Sequence, residues 1–355
     1  MSTSFTDRAS PDRVFVRRAF IVLALAGLVA AAWVLADILL LLFGAVLIAV
    51  LLRAIASPLV RKVGLPEHYA LLAAVLVILL VGAAAGLMLG PELSRQMRVL
   101  FASLPEAFSR ISDELQLGPF AELLKGAGSV SSVGALAERI FSWSTTLLGM
   151  LASFALVVFG GVYLAVEPQT YRNGLVKLFP ASLHPNINAT LDDAGQALRR
   201  WLGGQLAAML IVGVLTALGL WMVGVPSAFA LGFIAGLAEF VPIIGPILAA
   251  IPAIVIAGTQ DWHTLWWTVA VLVVVQQIEA NLVSPLVTGR IVAIPPAVGL
   301  FAVVSLGVLF GPHGLLFGFP LAVVIDVAVR RLYVLDTLGE PVEIMGEEAK
   351  ESNRL

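Results

Sequence analysis

Residues 229–257, FALGFIAGLAEFVPIIGPILAAIPAIVIA, form an apolar stretch that helix-breaking residues interrupt at its centre. At 1.5 Å per residue, such a helix would be longer than the roughly 30 Å apolar core of a bilayer requires. Pro242 and Pro246 remove amide donors and restrict φ, and Gly245 lies between them. Carbonyl groups freed in lipid must be satisfied by protein or by a water-filled cavity. The stretch is therefore predicted to be discontinuous.

One carboxylate, Glu239, lies just before this break. A charged side chain at the centre of a membrane costs about 2.5–3.5 kcal/mol on insertion scales, so it needs a partner, a proton or water. We interpret Glu239 as a candidate for proton coupling or substrate contact. The alternative is a structural salt bridge or a position near the membrane interface.

The composition of the whole chain indicates that lipid is its solvent. Of its 355 residues, 60% are hydrophobic and 12% charged, whereas about 25% are charged in soluble domains. The apolar segments are Phe20–Ala36, Ile38–Leu52, Ala70–Leu89, Thr145–Val166, Leu206–Val223, Phe229–Ala257, Leu265–Ile278 and Ala297–Val329. They predict an all-α, polytopic membrane protein of about eight segments.

The last segment is also interrupted, first at Gly311-Pro312-His313-Gly314 and again at Gly318-Phe319-Pro320. Paired interruptions in long apolar segments are typical of the binding sites of secondary transporters. We therefore predict two re-entrant or broken helical hairpins in the C-terminal half. The alternative is two kinked helices that span the membrane completely.

Between these interruptions, the segment that starts at Leu265 has a polar end. On a helix, Gln276 and Glu279 lie within about 60° of each other, while Gln277 and Asn281 form a separate cluster. One face is predicted to line a pathway and the other to join helices by amide hydrogen bonds. The alternative is that the run is the solvated end of a helix.

Basic residues near the segment ends predict the orientation, because short cytoplasmic loops are enriched in Lys and Arg. Placing the basic clusters on the inside puts both termini in the cytoplasm. The chain then divides into N-terminal membrane segments with three crossings (1–90), an extracytoplasmic amphipathic helical insert (91–144), a fourth crossing (145–166), a cytoplasmic helical insert (167–205), a C-terminal transport region with broken helices (206–333) and a cytoplasmic polar tail (334–355).

Several classes of function are not supported by the sequence. There is no Walker phosphate loop, no Gly-x-Ser-x-Gly elbow and no His-Glu-x-x-His pair, which argues against an enzyme or an ATPase. The chain has no cysteine, and its four histidines are scattered, so no metal or other cofactor is expected. A net charge of −2 gives no indication of nucleic-acid binding. Transport is expected to use an ion gradient or to run downhill.

Over roughly Leu206–Tyr333, the chain resembles the autoinducer-2 exporter family of bacterial membrane proteins. The resemblance rests on Glu239-Phe240-Val241-Pro242 with Gly245-Pro246, on Gln276-Gln277-Ile278-Glu279-Ala280-Asn281-Leu282, and on Gly289-Arg290. It implies a multi-pass exporter or permease of the bacterial inner membrane that forms a homo-oligomer.

Two transport hypotheses follow, because some relatives are linked to autoinducer-2 export and others to sodium–proton exchange. The first is a secondary transporter that exports a small organic solute. The alternative is a sodium–proton antiporter, for which the candidate carboxylates are Glu239, Glu279 and Asp326. The candidate substrate or ion pathway consists of Glu239, Pro242, Gly245, Pro246, Gln276, Gln277, Glu279, Asn281, Arg290, Gly311 and Pro312. A third hypothesis is a membrane scaffold that binds a partner through the surface helices of Glu92–Leu117.

Overall fold

The computed structural model describes residues 34–80, 143–287 and 294–339, with isolated residues between 20 and 30 and between 83 and 95. Arg290, the polar tail beyond residue 339 and most of the predicted insert at 91–144 lie outside the described residues.

The described chain is helical, and no strand occurs within these ranges. Its helices are α1 (Ala36–Val63), α2 (Glu67–Leu80), α3 (Trp143–Val166), α4 (Pro168–Val176), α5 (His184–Val223), α6 (Ala228–Ala238), α7 (Ile244–Gly258), α8 (Trp262–Ile278) and α9 (Pro296–Ala328). A π-helical turn at Glu279–Val283 continues α8 into a short helix at Ser284–Val287, and a second π-helical segment, Val329–Leu335, continues α9.

Four of the described helical stretches are long and apolar enough to cross a membrane: Ala36–Val63, Ala181–Val223, Trp262–Val283 and Ala297–Leu335. The apolar helices Glu67–Leu80, Ser153–Val166, Ala228–Ala238 and Ile244–Gly258 are shorter. Many large apolar side chains point outward; Phe159 and Tyr163 on α3 are 67% and 68% exposed. The prediction of an all-α, polytopic membrane protein is confirmed.

Prolines divide the polar stretch before α5 into short elements. Pro168 lies in the first turn of α4, and Pro185 lies in the first turn of α5, where its missing amide donor has no helical partner to lose. α5 therefore continues without interruption for 40 residues, about 60 Å at the usual rise. The predicted boundary at residue 205 falls inside this helix.

Small residues let α5 and α6 approach closely. A Cβ atom on Gly232 of α6 would lie 2.4 Å from the Cβ of Ala217 on α5. A Cβ atom on Gly236 would lie 2.7 Å from the carbonyl oxygen of Met209. Such contacts stabilise helix pairs in lipid, where burial of apolar surface between helices contributes little.

α6 and α7 form an antiparallel hairpin. Ala228 and Leu231, near the start of α6, share one buried cluster with Ala253 and Ile256, near the end of α7. The first turn of α6 therefore meets the last turn of α7, and the turn that connects the two helices forms the hairpin tip.

α9 is also folded back on itself, around Gly311. This residue has φ 60° and ψ −143°, a combination that is essentially restricted to glycine. A Cβ atom on Gly307 would lie 3.2 Å from Cδ1 of Leu315, and one on Gly318 would lie 2.9 Å from the Cα of Val303. Residues on either side of Gly311 thus face each other, so α9 consists of two antiparallel limbs, α9a (296–310) and α9b (312–328).

Candidate functional site

The five-residue turn between α6 and α7 forms at the break that the sequence predicts. Pro242 lies in this turn, while Gly245 and Pro246 open α7. Gly245 is packed so tightly that a Cβ atom would lie 1.8 Å from the carbonyl oxygen of Ala238. Ile243 has φ +72°, an outlier for a β-branched residue. Backbone strain of this kind is concentrated at functional sites.

Glu239 is the first residue of this turn and is 3% exposed. Its backbone carbonyl accepts a hydrogen bond from the side-chain amide of Gln205 on α5. Its side-chain Oε2 is buried and has no hydrogen-bond partner among the residues that the structure describes. α5 thus anchors the backbone at the hairpin tip, while this carboxyl oxygen accepts no hydrogen bond from the described residues.

Glu279 lies at the start of the π-helical turn after α8 and is partly buried. Its carboxylate accepts a hydrogen bond from Gln276 Nε2 at 3.2 Å. An electrostatic interaction also couples it to Glu239 in the tip of the first hairpin. This interaction connects acidic side chains from two separate helical elements.

The second polar pair on this element faces away from the first. Asn281 Nδ2 donates to the backbone carbonyl of Gln277 at 2.9 Å and to its side-chain Oε1 at 3.0 Å, and both residues are exposed. These hydrogen bonds join the residues that helical geometry places on a common face, Gln276 with Glu279 and Gln277 with Asn281. A π-helical turn inserts an extra residue into the helix, and such turns are frequent at functional sites.

Gly311 and Pro312 form the tip of the α9 hairpin, where Gly311 is partly buried and Pro312 is exposed. The two hairpins are connected through Trp201 of α5, which is 2% exposed. Its ring lies edge-on to Phe240 at 5.6 Å and stacks on Phe319 at 5.8 Å. One indole therefore contacts the tip of the first hairpin and the second limb of the other.

Two ion pairs fix the chain around the end of α9. Asp193 of α5 is completely buried and pairs with Arg331. Asp326 pairs with Arg330 at 2.8 Å, one helical turn away. The third carboxylate considered for ion exchange is thus bound to a neighbouring arginine.

Sequence reasoning missed the importance of α5, although its sequence carries a signal. The buried residues Asp193, Ala197, Trp201 and Gln205 recur every fourth position and so lie on one helix face. All four lie in the stretch 167–205, which the sequence pattern predicts to be a cytoplasmic insert. Extending the helical period into this stretch predicts a single buried helix face. The carboxylate of Asp193 lies at one end of this face and the side-chain amide of Gln205 at the other.

No described group of three or more His, Asp and Glu side chains is placed to hold a metal ion. Of the predicted pathway residues, Glu239 and Glu279 interact electrostatically, and Gln276 is hydrogen-bonded to Glu279. Gly311 and Pro312 lie in the other hairpin, and Arg290 is outside the described ranges.

Comparison with known proteins identifies relatives along most of the chain. The sequence model of a family described as AI-2E family transporter matches residues 21–333. YueF of Bacillus subtilis is 25% identical over 303 residues, which cover 80% of this chain and 82% of YueF. YrrI of the same organism is 28% identical over 190 residues, 54% of each chain. The match to YrrI therefore spans about half of that relative.

A further relative has a more specific name. The "AI-2 transport protein TqsA" of Escherichia coli (strain K12) is 25% identical over 144 residues, which cover 40% of this chain and 42% of TqsA. The names of YueF and YrrI assign them only provisionally to transport, without a substrate.

Proposed function

Because this chain belongs to the AI-2E family of transporters, we propose that it is a secondary transporter that exports a small organic solute across the bacterial inner membrane. The solute class we propose is autoinducer-2-like, since one relative is named for AI-2 transport. The observation that carries the proposal is the buried carboxylate of Glu239, whose Oε2 has no partner among the described residues. Transport proteins retain such groups for substrate, ion or proton binding.

The two hairpins support a pathway with a central point inside the membrane. The hairpins reach this point either from opposite sides of the membrane or from the same side. α6 has 11 residues and α7 has 15, about 16 Å and 22 Å in length. Both are shorter than the roughly 30 Å apolar core, so we propose that this hairpin is re-entrant and places Glu239 inside the membrane. α9a and α9b, joined at Gly311, form the second re-entrant hairpin.

In this mechanism the pathway runs past the two hairpin tips and the polar end of α8. Glu239 and Glu279 bind the solute or a coupling proton, and Gln276 orients Glu279 by hydrogen bonding. The non-helical turn between α6 and α7 and the break at Gly311 let each tip move without breaking a regular helix. We propose pathway roles also for Pro242, Pro246, Gln277, Asn281, Arg290 and Pro312.

We further propose that both termini face the cytoplasm and that the protein works as a homo-oligomer. The basic residues at the end of α1, Arg61 and Lys62, support the orientation through the positive-inside rule. The oligomer is proposed from the family resemblance.

The proposal is tested with purified protein in liposomes that carry a pH gradient, by measuring autoinducer-2 flux for Glu239→Gln. The matched control is Asp336→Asn, which neutralises an exposed carboxylate far along the chain from the hairpin tips. We expect Glu239→Gln to lose pH-gradient-dependent flux and Asp336→Asn to retain it. Unchanged flux in correctly inserted Glu239→Gln protein removes Glu239 from the mechanism.

The second candidate is a sodium–proton antiporter, which the electrostatic interaction between Glu239 and Glu279 favours. Two interacting acidic side chains can exchange a cation for a proton. The same liposomes discriminate the two functions when a sodium gradient replaces the solute and a pH-sensitive dye reports proton movement. Sodium-driven proton flux that Glu239→Gln abolishes would establish the antiporter, and its absence would exclude it.

A further inference from the structure

A basic cavity of about 340 Å³ opens between α1, α2 and α5. Its polar lining includes Arg53, Arg61 and Ser57 of α1, Glu67 of α2 and Arg199 of α5. Three guanidinium groups thus surround a single carboxylate. None of these residues belongs to the proposed transport pathway.

Among the described residues, protein groups bind only one of these three arginines, Arg53. Arg53 donates through Nε to the backbone carbonyl of Ala165 at 3.0 Å and through Nη2 to Glu67 at 2.6 Å. Within the described part of the chain, no ion pair involves Arg61 or Arg199. The cavity therefore has two cationic side chains available for an anion, while Arg53 holds its wall in place.

An apolar cavity of about 200 Å³ adjoins the basic one. Its lining includes Leu52 of α1, Leu71 and Val75 of α2 and Val162 of α3. Leu71 lines both cavities. Arg53 spans them as well, because its hydrogen-bond acceptor Ala165 lines the apolar cavity. A basic cavity and an apolar cavity therefore lie side by side between these helices, with Leu71 in the lining of both.

We propose that the two cavities form a binding site for an anionic glycerophospholipid. The phosphodiester accepts charge-assisted hydrogen bonds from Arg61 and Arg199, and one acyl chain lies along Leu71 and Val75. Guanidinium groups match phosphate oxygens in geometry and charge, and basic pockets between membrane helices bind lipid headgroups. A free phosphate ester would use only the basic cavity, so the adjoining apolar slot favours the lipid.

The test measures binding of phosphatidylglycerol to the purified full-length protein in detergent, by native mass spectrometry and by titration. Phosphatidylcholine with the same acyl chains is the comparison lipid, and soluble glycerol 3-phosphate tests the headgroup alone. We expect phosphatidylglycerol to bind more tightly than phosphatidylcholine, and glycerol 3-phosphate not to displace it at equal concentration. The double variant R61Q/R199Q should weaken phosphatidylglycerol binding roughly 30-fold, at about fivefold for each basic residue.

The matched control is K62Q/K177Q, which removes two exposed basic residues that do not line the cavity. It should bind phosphatidylglycerol within about twofold of the wild type. V75F, which fills the apolar slot, should weaken the binding of phosphatidylglycerol and leave the binding of glycerol 3-phosphate unchanged. Size-exclusion profiles and far-UV circular dichroism establish that each variant is folded.

Three outcomes would overturn the proposal. An equal loss in K62Q/K177Q would mean that diffuse surface charge binds the lipid. Displacement by equimolar glycerol 3-phosphate would identify a site for free phosphate esters. Equal affinity for phosphatidylcholine would show that the arginines do not select an anion.

Discussion

Replacement of Asp193 by asparagine tests whether the buried ion pair with Arg331 stabilises the fold. Asp193 is completely buried, and the side chain of Arg331 is 17% exposed. Asp193→Asn leaves a guanidinium group in a site with little water and without its counter-charge. Removing one partner of a buried pair costs about 3–5 kcal/mol, so the free energy of unfolding should fall by about that amount.

The neighbouring residue provides a matched control for this prediction. Asp192 pairs with Arg172 at 2.6 Å, but its side chain is 48% exposed. Exposed pairs contribute up to about 1 kcal/mol, so Asp192→Asn should lower the free energy of unfolding by no more than about that amount. The two variants make the same chemical change at adjacent positions of one helix and differ in burial.

The measurement is reversible unfolding in mixed micelles with increasing SDS, followed by far-UV circular dichroism. A second variant, D193L/R331M, replaces both charges by apolar groups and should recover most of the loss, because no uncompensated charge is left. The reasoning is wrong if Asp193→Asn and Asp192→Asn lose the same stability. It is also wrong if the double variant is as unstable as Asp193→Asn.

Two further predictions concern the first hairpin and the start of α8. Gly245→Ala places a Cβ atom 1.8 Å from the carbonyl oxygen of Ala238 and should reduce the yield of folded protein in membranes. Gly203→Ala, which has open space at a helical position, should leave the yield unchanged or raise it. Hydrogen bonds from the backbone and hydroxyl of Thr264 hold the pKa of Asp261 below its ordinary value. The stability that this N-cap contributes should be fully present above the ordinary pKa of an aspartate. It should be lost as pH falls through the lowered pKa of Asp261. Thermal unfolding from pH 7 to pH 3 should therefore show a smaller acid-induced decrease in Asp261→Asn.

The helix breaks are predictable from sequence because their causes are local. Pro242 lacks an amide donor whatever surrounds it. The dihedral angles at position 311 are essentially restricted to glycine, the residue that the sequence has there. The same holds for the pairing of Gln276 with Glu279, which depends on helical geometry over three residues. Such features need no knowledge of which helices are neighbours.

The parts that sequence reasoning missed depend on tertiary contacts. Asp193 and Arg331 are 138 positions apart, and nothing in either local sequence identifies the other as its partner. Trp201 lies in a charged stretch, so it was assigned to the water-facing insert although its ring packs between two hairpins. The electrostatic interaction of Glu279 with Glu239 likewise depends on the tertiary arrangement of residues 40 positions apart.

The length of α5 has a mechanical consequence. At about 60 Å, the helix is twice as long as the membrane's apolar core is thick, so a large part of it projects beyond that core or lies tilted within it. After its first turn the helix contains no proline, so no proline kink divides it and it can move as one rigid element. Asp193 connects α5 to the segment after α9 through its ion pair with Arg331. About three helical turns further on, Gln205 donates a hydrogen bond to the backbone of the first hairpin tip. A tilt imposed at one attachment therefore displaces the other, without any rearrangement of side chains between them.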